Sequence, residues 1–318
     1  MKSTRPRILS IGGGTGLSTL LRGLKNGPCD LSVIVTVTDD GGSSGRLREE
    51  LNVMPPGDIR NCMIALSEDE HLMSRLFRFR FNSKGDLHGH SFGNLFLTAL
   101  AGVTGDFAEA VRLTSEVLAI KGVIYPSTNS QVALRGQLSD DSWVDGETRI
   151  ASSGKKIKRI CLSPVDARPL DVALEAIAQA DVITLGPGSL YTSLIPNLLV
   201  SGIPEAVMES RAAKIYVQNI MTQPGETEEL SVADHVQALV NHCSGRLLFS
   251  KILLNSGIPS RLLLAKYEAE GADFVKIDRD RLAAMRLECM ERDLLSDGDV
   301  IRHDPVRLAD AVYELAKL

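Results

Sequence analysis

Three features of the sequence predict an α/β fold, a Rossmann-like doubly wound sheet that is mainly parallel. Short apolar, β-rich runs at 7–11, 31–37, 181–185 and 214–218 alternate with stretches of helical periodicity, as parallel strands covered by helices do. Glycine-rich and polar clusters come after these runs, at the carboxyl ends of the strands, where open α/β sheets bind ligands. Between about 129 and 163 the texture changes: apolar and polar residues alternate around Gly and Asp turns, which reads as an antiparallel β ribbon inserted in the core. With 318 residues, 44% of them hydrophobic, the chain can bury a large core, and no repeat, low-complexity linker or boundary divides 1–318. It is expected to be one domain.

The first element is carried by "RILSIGGGTGLSTLLRGL", residues 7–24, an apolar strand, a glycine cluster and an amphipathic helix with Leu17, Leu20, Leu21 and Leu24 at helical spacing. Gly12, Gly13, Gly14, Thr15 and Gly16 therefore sit at a strand-to-helix junction, where bare N–H groups and the positive end of the helix dipole favour a phosphate. The dinucleotide pattern G-x-G-x-x-G fails from Gly12, which puts Leu17 in the last place, and from Gly14, which puts Thr19 there. No lysine occurs before Lys25 within the loop and helix, so a P-loop is also absent.

The second strand runs into "TDDGGSSGRL", where Asp39 and Asp40 stand about 20 residues beyond the first loop, the place of a ribose-binding acid. The surplus Gly and Ser residues, Ser43 and Ser44 included, read as a flexible polar loop. "PPGDIRNCMIAL" puts two prolines ahead of a helix, with Asp58 as its cap and Arg60 and Asn61 in its first turn, able to face a ligand. In "DLHGHSFGNLF", Asp86, His88 and His90 alternate, but no third well-placed ligand accompanies a metal reading, and Asn94 at the start of the apolar helix is the better polar candidate. After "ADVITL" comes "GPGSLYTSLIP", a second strand-to-helix junction with Gly186, Gly188 and Ser189. After "KIYVQNI" comes "MTQPGET", with Asn219, Thr222 and Gln223 placed to orient a sugar or base. From Asp278 onward, "RDRLAAMRLECM" and "PVRLADAVYELAKL" read as helices.

Charge and cysteine usage exclude several classes of function. A formal net charge of −5, no basic run and only 4% aromatic residues leave no footprint for nucleic acid. Cys29, Cys62, Cys161, Cys243 and Cys289 form no C-x-x-C pair, which argues against a zinc site and a disulfide framework and fits a reducing cytoplasm. The basic "MKSTRPR" precedes a strand too short and too glycine-broken for a signal peptide, and no run approaches a membrane span.

The ordered motifs GGGTG, VTDDGGSSGRL, PPGDIRNCMIAL, HGHSFGNLF, GPGSLYTS and NIMTQPGET, from residue 12 to 227, resemble the bacterial branch of the 2-phospho-L-lactate transferase (CofD)-like superfamily, the YvcK-type gluconeogenesis factors. The resemblance implies a Rossmann-like fold and a UDP-sugar ligand such as UDP-N-acetylglucosamine. It also implies a homodimer, a regulatory partner, and a role in growth and cell shape on gluconeogenic carbon. The transferase relatives move a phospholactyl group from a nucleotide-activated donor to a deazaflavin precursor with Mg2+. Their acid-loop-glycine motif matches Asp40, a candidate metal ligand, and Gly45, and their strand-end loop matches Gly186–Ser193. They lack the run 41–44, and their acceptor-side aromatic is absent here, which speaks against the deazaflavin acceptor. Two function classes stay open, a ligand-sensing regulator and a Mg2+-dependent transferase. No nucleophile-base arrangement can be established from spacing alone.

Overall fold

The structure is a computed structural model that describes residues 5–68 and 72–317. The basic stretch at 1–4 and residue 318 of the final helical pattern lie outside those residues. Seven strands, β1 (Arg7–Gly12), β2 (Asp30–Val35), β3 (Val123–Pro126), β7 (Val182–Leu185), β8 (Ala213–Val217), β9 (Lys251–Asn255) and β10 (Glu288–Arg292), form one sheet in the order β10-β9-β8-β7-β1-β2-β3. Every neighbouring pair in it is parallel. β1 lies inside the sheet, and after Arg7 each of its residues is buried, which explains its unbroken apolar run.

The chain first winds outward from β1 through β2 to β3, then returns to lay β7 on the other side of β1 and winds the opposite way through β8, β9 and β10. The reversal between β1 and β7 is the topological switch point, where the connections leaving two adjacent strands diverge and open a crevice. The four expected strands are present, with β2 ending at Val35, two residues short of the apolar run. β3, β9 and β10 are additional.

Helix α1 (Gly14–Leu24) follows β1 directly, and its Leu17, Leu20, Leu21 and Leu24 are 0% exposed. Each contributes about 2 kcal/mol of apolar burial. They seat α1 against α3 (Gly57–Leu66) and the helix Pro305–Ala316. The expected flexible loop after Asp40 is instead α2 (Gly42–Leu51), whose first turn holds Ser43 and Ser44. The segment "RDRLAAMRLECM" also departs from expectation: helix Arg279–Ala284 stops short, and Glu288–Arg292 becomes edge strand β10 on β9. Along β10 no residue is fully buried, so the strand lacks the apolar alternation that marks its type.

The inserted ribbon is an antiparallel three-stranded sheet, β5-β4-β6, made of β4 (Ala133–Leu138), β5 (Trp143–Asp145) and β6 (Ile157–Ser163). Its Leu134, Ile150, Ile160 and Leu162 belong to the same continuous buried cluster as the large sheet. A short helix, Glu147–Ala151, between β5 and β6 turns back toward the carboxyl end of β2.

Candidate functional site

Two backbone loops meet at the switch point. The first, Gly13 to Gly16, leaves β1 and opens α1; Gly14 has φ +67°, a left-handed conformation that glycine adopts without a Cβ penalty. A Cβ on Gly16 would stand 2.7 Å from the Pro187 carbonyl oxygen, so only a glycine lets the two loops approach so closely. The second loop, Gly186 to Ser189, leaves β7 through a cis Gly186–Pro187 bond and enters a π-helical turn at Leu190–Leu194. Asn219, just beyond β8, clamps it: Gly188 N–H donates to Asn219 Oδ1 at 3.1 Å and Asn219 Nδ2 donates to the Gly188 carbonyl at 2.7 Å.

A cleft of about 430 Å³ opens over these loops, floored by Gly14, Thr15, Gly16, Gly188 and Ser189. Its far wall carries Thr222, Gln223, Tyr267 and His303. Gln223 Nε2 donates to Ser189 Oγ at 2.8 Å, and its Oε1 is buried without a partner. Thr222 is pinned by the segment beneath it, with Asp273 N–H donating to its Oγ1 at 2.8 Å. The Tyr267 hydroxyl accepts from Ile301 N–H at 3.1 Å, which fixes the ring beside the cleft as an apolar face.

His303 is 6% exposed, and its Nε2 has no hydrogen-bond partner. Burial pushes its imidazole down to about 4, opposed by a hydrogen bond with the Gln218 main chain, so the ring is neutral near pH 7. A neutral Nε2 without a donor, in a residue of the cleft wall, is an unused acceptor. Nothing in the local sequence signals this role, because His303 follows an irregular segment and belongs to no glycine or polar cluster.

On the β2 side the site is acidic. Asp58 is no helix cap, since α3 begins after Pro56 with no side-chain cap. Its carboxylate instead accepts from Gly14 N–H. Burial, then the neighbouring Asp39 carboxylate, raises Asp58 to about 7 against the pull of that N–H and of Arg60. Glu147 rises to about 9, through burial and then Asp39, Asp58, Glu226 and Asp40. Burial likewise lifts Glu226 to about 7 against its bonds from Thr192 and the Tyr191 and Thr192 main chain. Protons or a cation must offset the concentration of carboxylates here. Among the described residues, no three His, Cys, Asp or Glu side chains converge to hold a metal ion. The arrangement fits Mg2+ only in its usual mode, through one or two carboxylates with phosphate oxygens completing the shell.

The other expected site residues divide into two groups. Asp39 Oδ1 accepts from Gly41 N–H at 2.9 Å at the mouth of this acidic region. Asp40 accepts from Thr148 N–H at 2.9 Å and Thr148 Oγ at 2.6 Å, and so caps the ribbon's short helix across 108 residues of chain. Ser43, Ser44 and Asn94 are buried behind the loops: Asn94 Nδ2 donates to Ser43 Oγ at 3.1 Å and to Ser44 Oγ at 3.4 Å, while its Oδ1 accepts from Arg60 at 3.0 Å. Arg60 also donates to Asn61 Oδ1 at 2.7 Å, which turns both residues toward a second hollow beyond Thr15. His90 Nδ1 pairs with Ser43 Oγ at 3.1 Å, and the His88 carbonyl accepts from Arg46, so this histidine segment is tied to α2.

The model of the family "2-phospho-L-lactate transferase CofD" matches residues 8–295. The gluconeogenesis factor of Bacillus subtilis is 49% identical over 315 residues, covering 98% of this chain and 99% of the relative. That of Halalkalibacterium halodurans is 47% identical over 311 residues, covering 98% and 96%. The crystal structure of a UPF0052-family protein from Bacillus halodurans superimposes with a TM-score of 0.94 at 47% identity, covering 97% of this chain and 99% of that one. No helix among the described residues is long and apolar enough to cross a membrane. With the family model spanning the sheet and both loops, and with relatives near half identical over almost their whole length, this chain belongs to the CofD family, in the branch of the bacterial gluconeogenesis factors.

Proposed function

We propose that the protein binds a UDP-sugar, of the UDP-N-acetylglucosamine kind, in the switch-point cleft and acts as a sensor of it. The observation that carries this reading is the pairing, in one cleft of about 430 Å³, of two backbone loops suited to a diphosphate with a wall of Gln223, Tyr267 and neutral His303. Thr15 and Gly16 at the start of α1 and Ser189 in the facing loop offer N–H and hydroxyl donors to phosphate oxygens, while Gly188 is held by Asn219. Gln223 Oε1 and His303 Nε2 each offer an unused acceptor to sugar or base donors, and the Tyr267 ring offers a face to the base. Asp39 takes the ribose hydroxyls or, through Mg2+, the diphosphate, because Asp40 is engaged with Thr148. In this reading residues 1–318 act as one unit in the cytoplasm, as a homodimer whose occupancy is passed to a regulatory partner affecting growth and cell shape on gluconeogenic carbon. Isothermal titration tests the binding, and chromatography of the same sample over hours tests the absence of turnover. A sensor leaves the nucleotide sugar intact.

Asp58 favours a second reading. A carboxyl raised to about 7 beside a phosphate-binding loop holds or releases a proton at working pH, which suits general acid-base transfer from a nucleotide-activated donor. Release of UDP above the protein-free rate, lost in Asp58→Asn while binding persists, would establish this reading in place of the sensor.

A further inference from the structure

Helix α5 (Phe92–Thr104) carries no charged residue in its 13 positions. A helix that is apolar all round belongs in an interior, whereas a helix on the outside of a globular protein turns charged residues toward water. Gly93, Asn94, Leu97 and Thr98 on the inner side of α5 are buried. Leu95 and Phe96 are half-buried, while Ala99, Gly102 and Val103 are exposed, Val103 to 83%. These five share one helix face by their spacing of three, four and seven residues, and among the described residues nothing covers its Ala99, Gly102 and Val103.

Gly102 points the same way. A Cβ there would find no atom within 4 Å, so the chain's own packing does not call for a glycine, one of the weakest helix formers, at this position. A bare backbone lets another helix come close. The apolar exposure extends to the neighbours of α5: α4 (Leu72–Arg78), α6 (Phe107–Val117) and the turn after α4 leave Leu72, Val117 and Phe79 exposed. Three helices about 10 Å apart, taken over the ~20 Å length of α5, present on the order of 600 Å² before side-chain relief, near the ~800 Å² that each partner gives to a stable interface.

We propose that this face is where two copies of the chain meet, α5 packing on α5 near Ala99 about a two-fold axis. The proposal rests on the homodimer reading above and gives it a surface. Charge selects a second copy as the occupant, because at a two-fold axis a residue faces its own copy and any charge there meets its like. An uncharged helix meets that requirement. A membrane span needs about 20 residues, and a helix lying on lipid carries Lys or Arg for the headgroups; α5 has neither the length nor the charge. The contact also links the two sites, since Asn94 in the first turn of α5 holds Ser43, Ser44 and Arg60 behind the loops.

Sedimentation equilibrium of the whole protein over a dilution series tests the face. The parent is expected to be a dimer, and Ala99→Glu and Ala99→Lys, each at an exposed helical position, are expected to raise its dissociation constant about tenfold or more by setting like charges together. An equimolar mixture of the two variants is expected to recover a mixed dimer, which a merely damaged helix could not do. Leu262→Arg, at a residue 85% exposed on the helix Arg261–Ala269, is expected to stay dimeric as the parent does. A monomeric parent overturns both this face as a self-contact and the homodimer reading, and leaves the face to a different occupant. A parent dimer that neither Ala99 variant weakens overturns the face alone, as does a mixture that stays monomeric while both variants keep native circular dichroism.

Discussion

At His303 burial decides the chemistry. Held near 4, the ring stays an uncharged acceptor across the physiological range, so it recognises a donor without becoming a pH switch. His303→Phe keeps the volume and removes the acceptor; UDP-N-acetylglucosamine affinity is expected to fall about tenfold by titration, with some loss of melting temperature because the bond to the Gln218 main chain goes as well. Unchanged affinity would place the ligand elsewhere in the cleft. Glu147 carries the opposite kind of burden. In the unfolded chain its carboxyl titrates near 4.5 and in the fold at about 9, so between those values the folded state keeps a proton that the unfolded chain has released. Its contribution to stability is fully present below the lower value and is lost as pH rises toward the upper one. In magnesium-free buffer, the melting temperature of Glu147→Gln should therefore gain on the parent between about pH 5 and about pH 8. A constant difference would mean that Glu147 titrates like a surface carboxylate. Neither residue was legible as a site residue beforehand: His303 and Glu147 lie outside the glycine clusters, and their roles arise from what tertiary packing buries.

The elements differ in how openly the sequence declares them. β1 and α1 could be read directly, because an interior parallel strand is continuously apolar and α1 repeats leucine at helical spacing. β10 could not, because an edge strand with half-exposed residues lacks that signal and continues from a helical pattern. α2 carries the sequence signal of a loop, since Gly and Ser weaken helix propensity; tertiary bonds from Asn94 and His90 to Ser43 outweigh it. The ribbon's alternation was legible, but not its attachment through Asp40. Replacing Asp40 by Ala removes two bonds to Thr148 and should cost about 1 kcal/mol, typical of a lost helix cap. Proteolysis around Glu147–Ala151 should then quicken, while UDP-sugar affinity stays within about twofold. A large affinity loss with no change in proteolysis would restore Asp40 to the ligand site.

Over the whole molecule, the winding reversal next to β1 brings three strand ends, far apart in the chain, to one crevice. Alternating strands and helices already implied such a crevice, so the glycine loops and Asn219 were identifiable as neighbours; the distances that make them one site belong to the sheet order, which a sequence does not display. The same reversal leaves acidic residues on the β2 side of the diphosphate loops. The claim that joins these features is that a nucleotide sugar lies across the Gly14–Gly16 and Gly186–Ser189 loops. Titration of UDP-N-acetylglucosamine into the parent and into Gly16→Val tests it most directly, because a side chain at Gly16 meets the Pro187 carbonyl at 2.7 Å and must part the two loops. The expected result is one site per chain in the parent, weakened about tenfold or more in Gly16→Val with native circular dichroism. No binding to the parent, or equal affinity in a folded Gly16→Val, would contradict it.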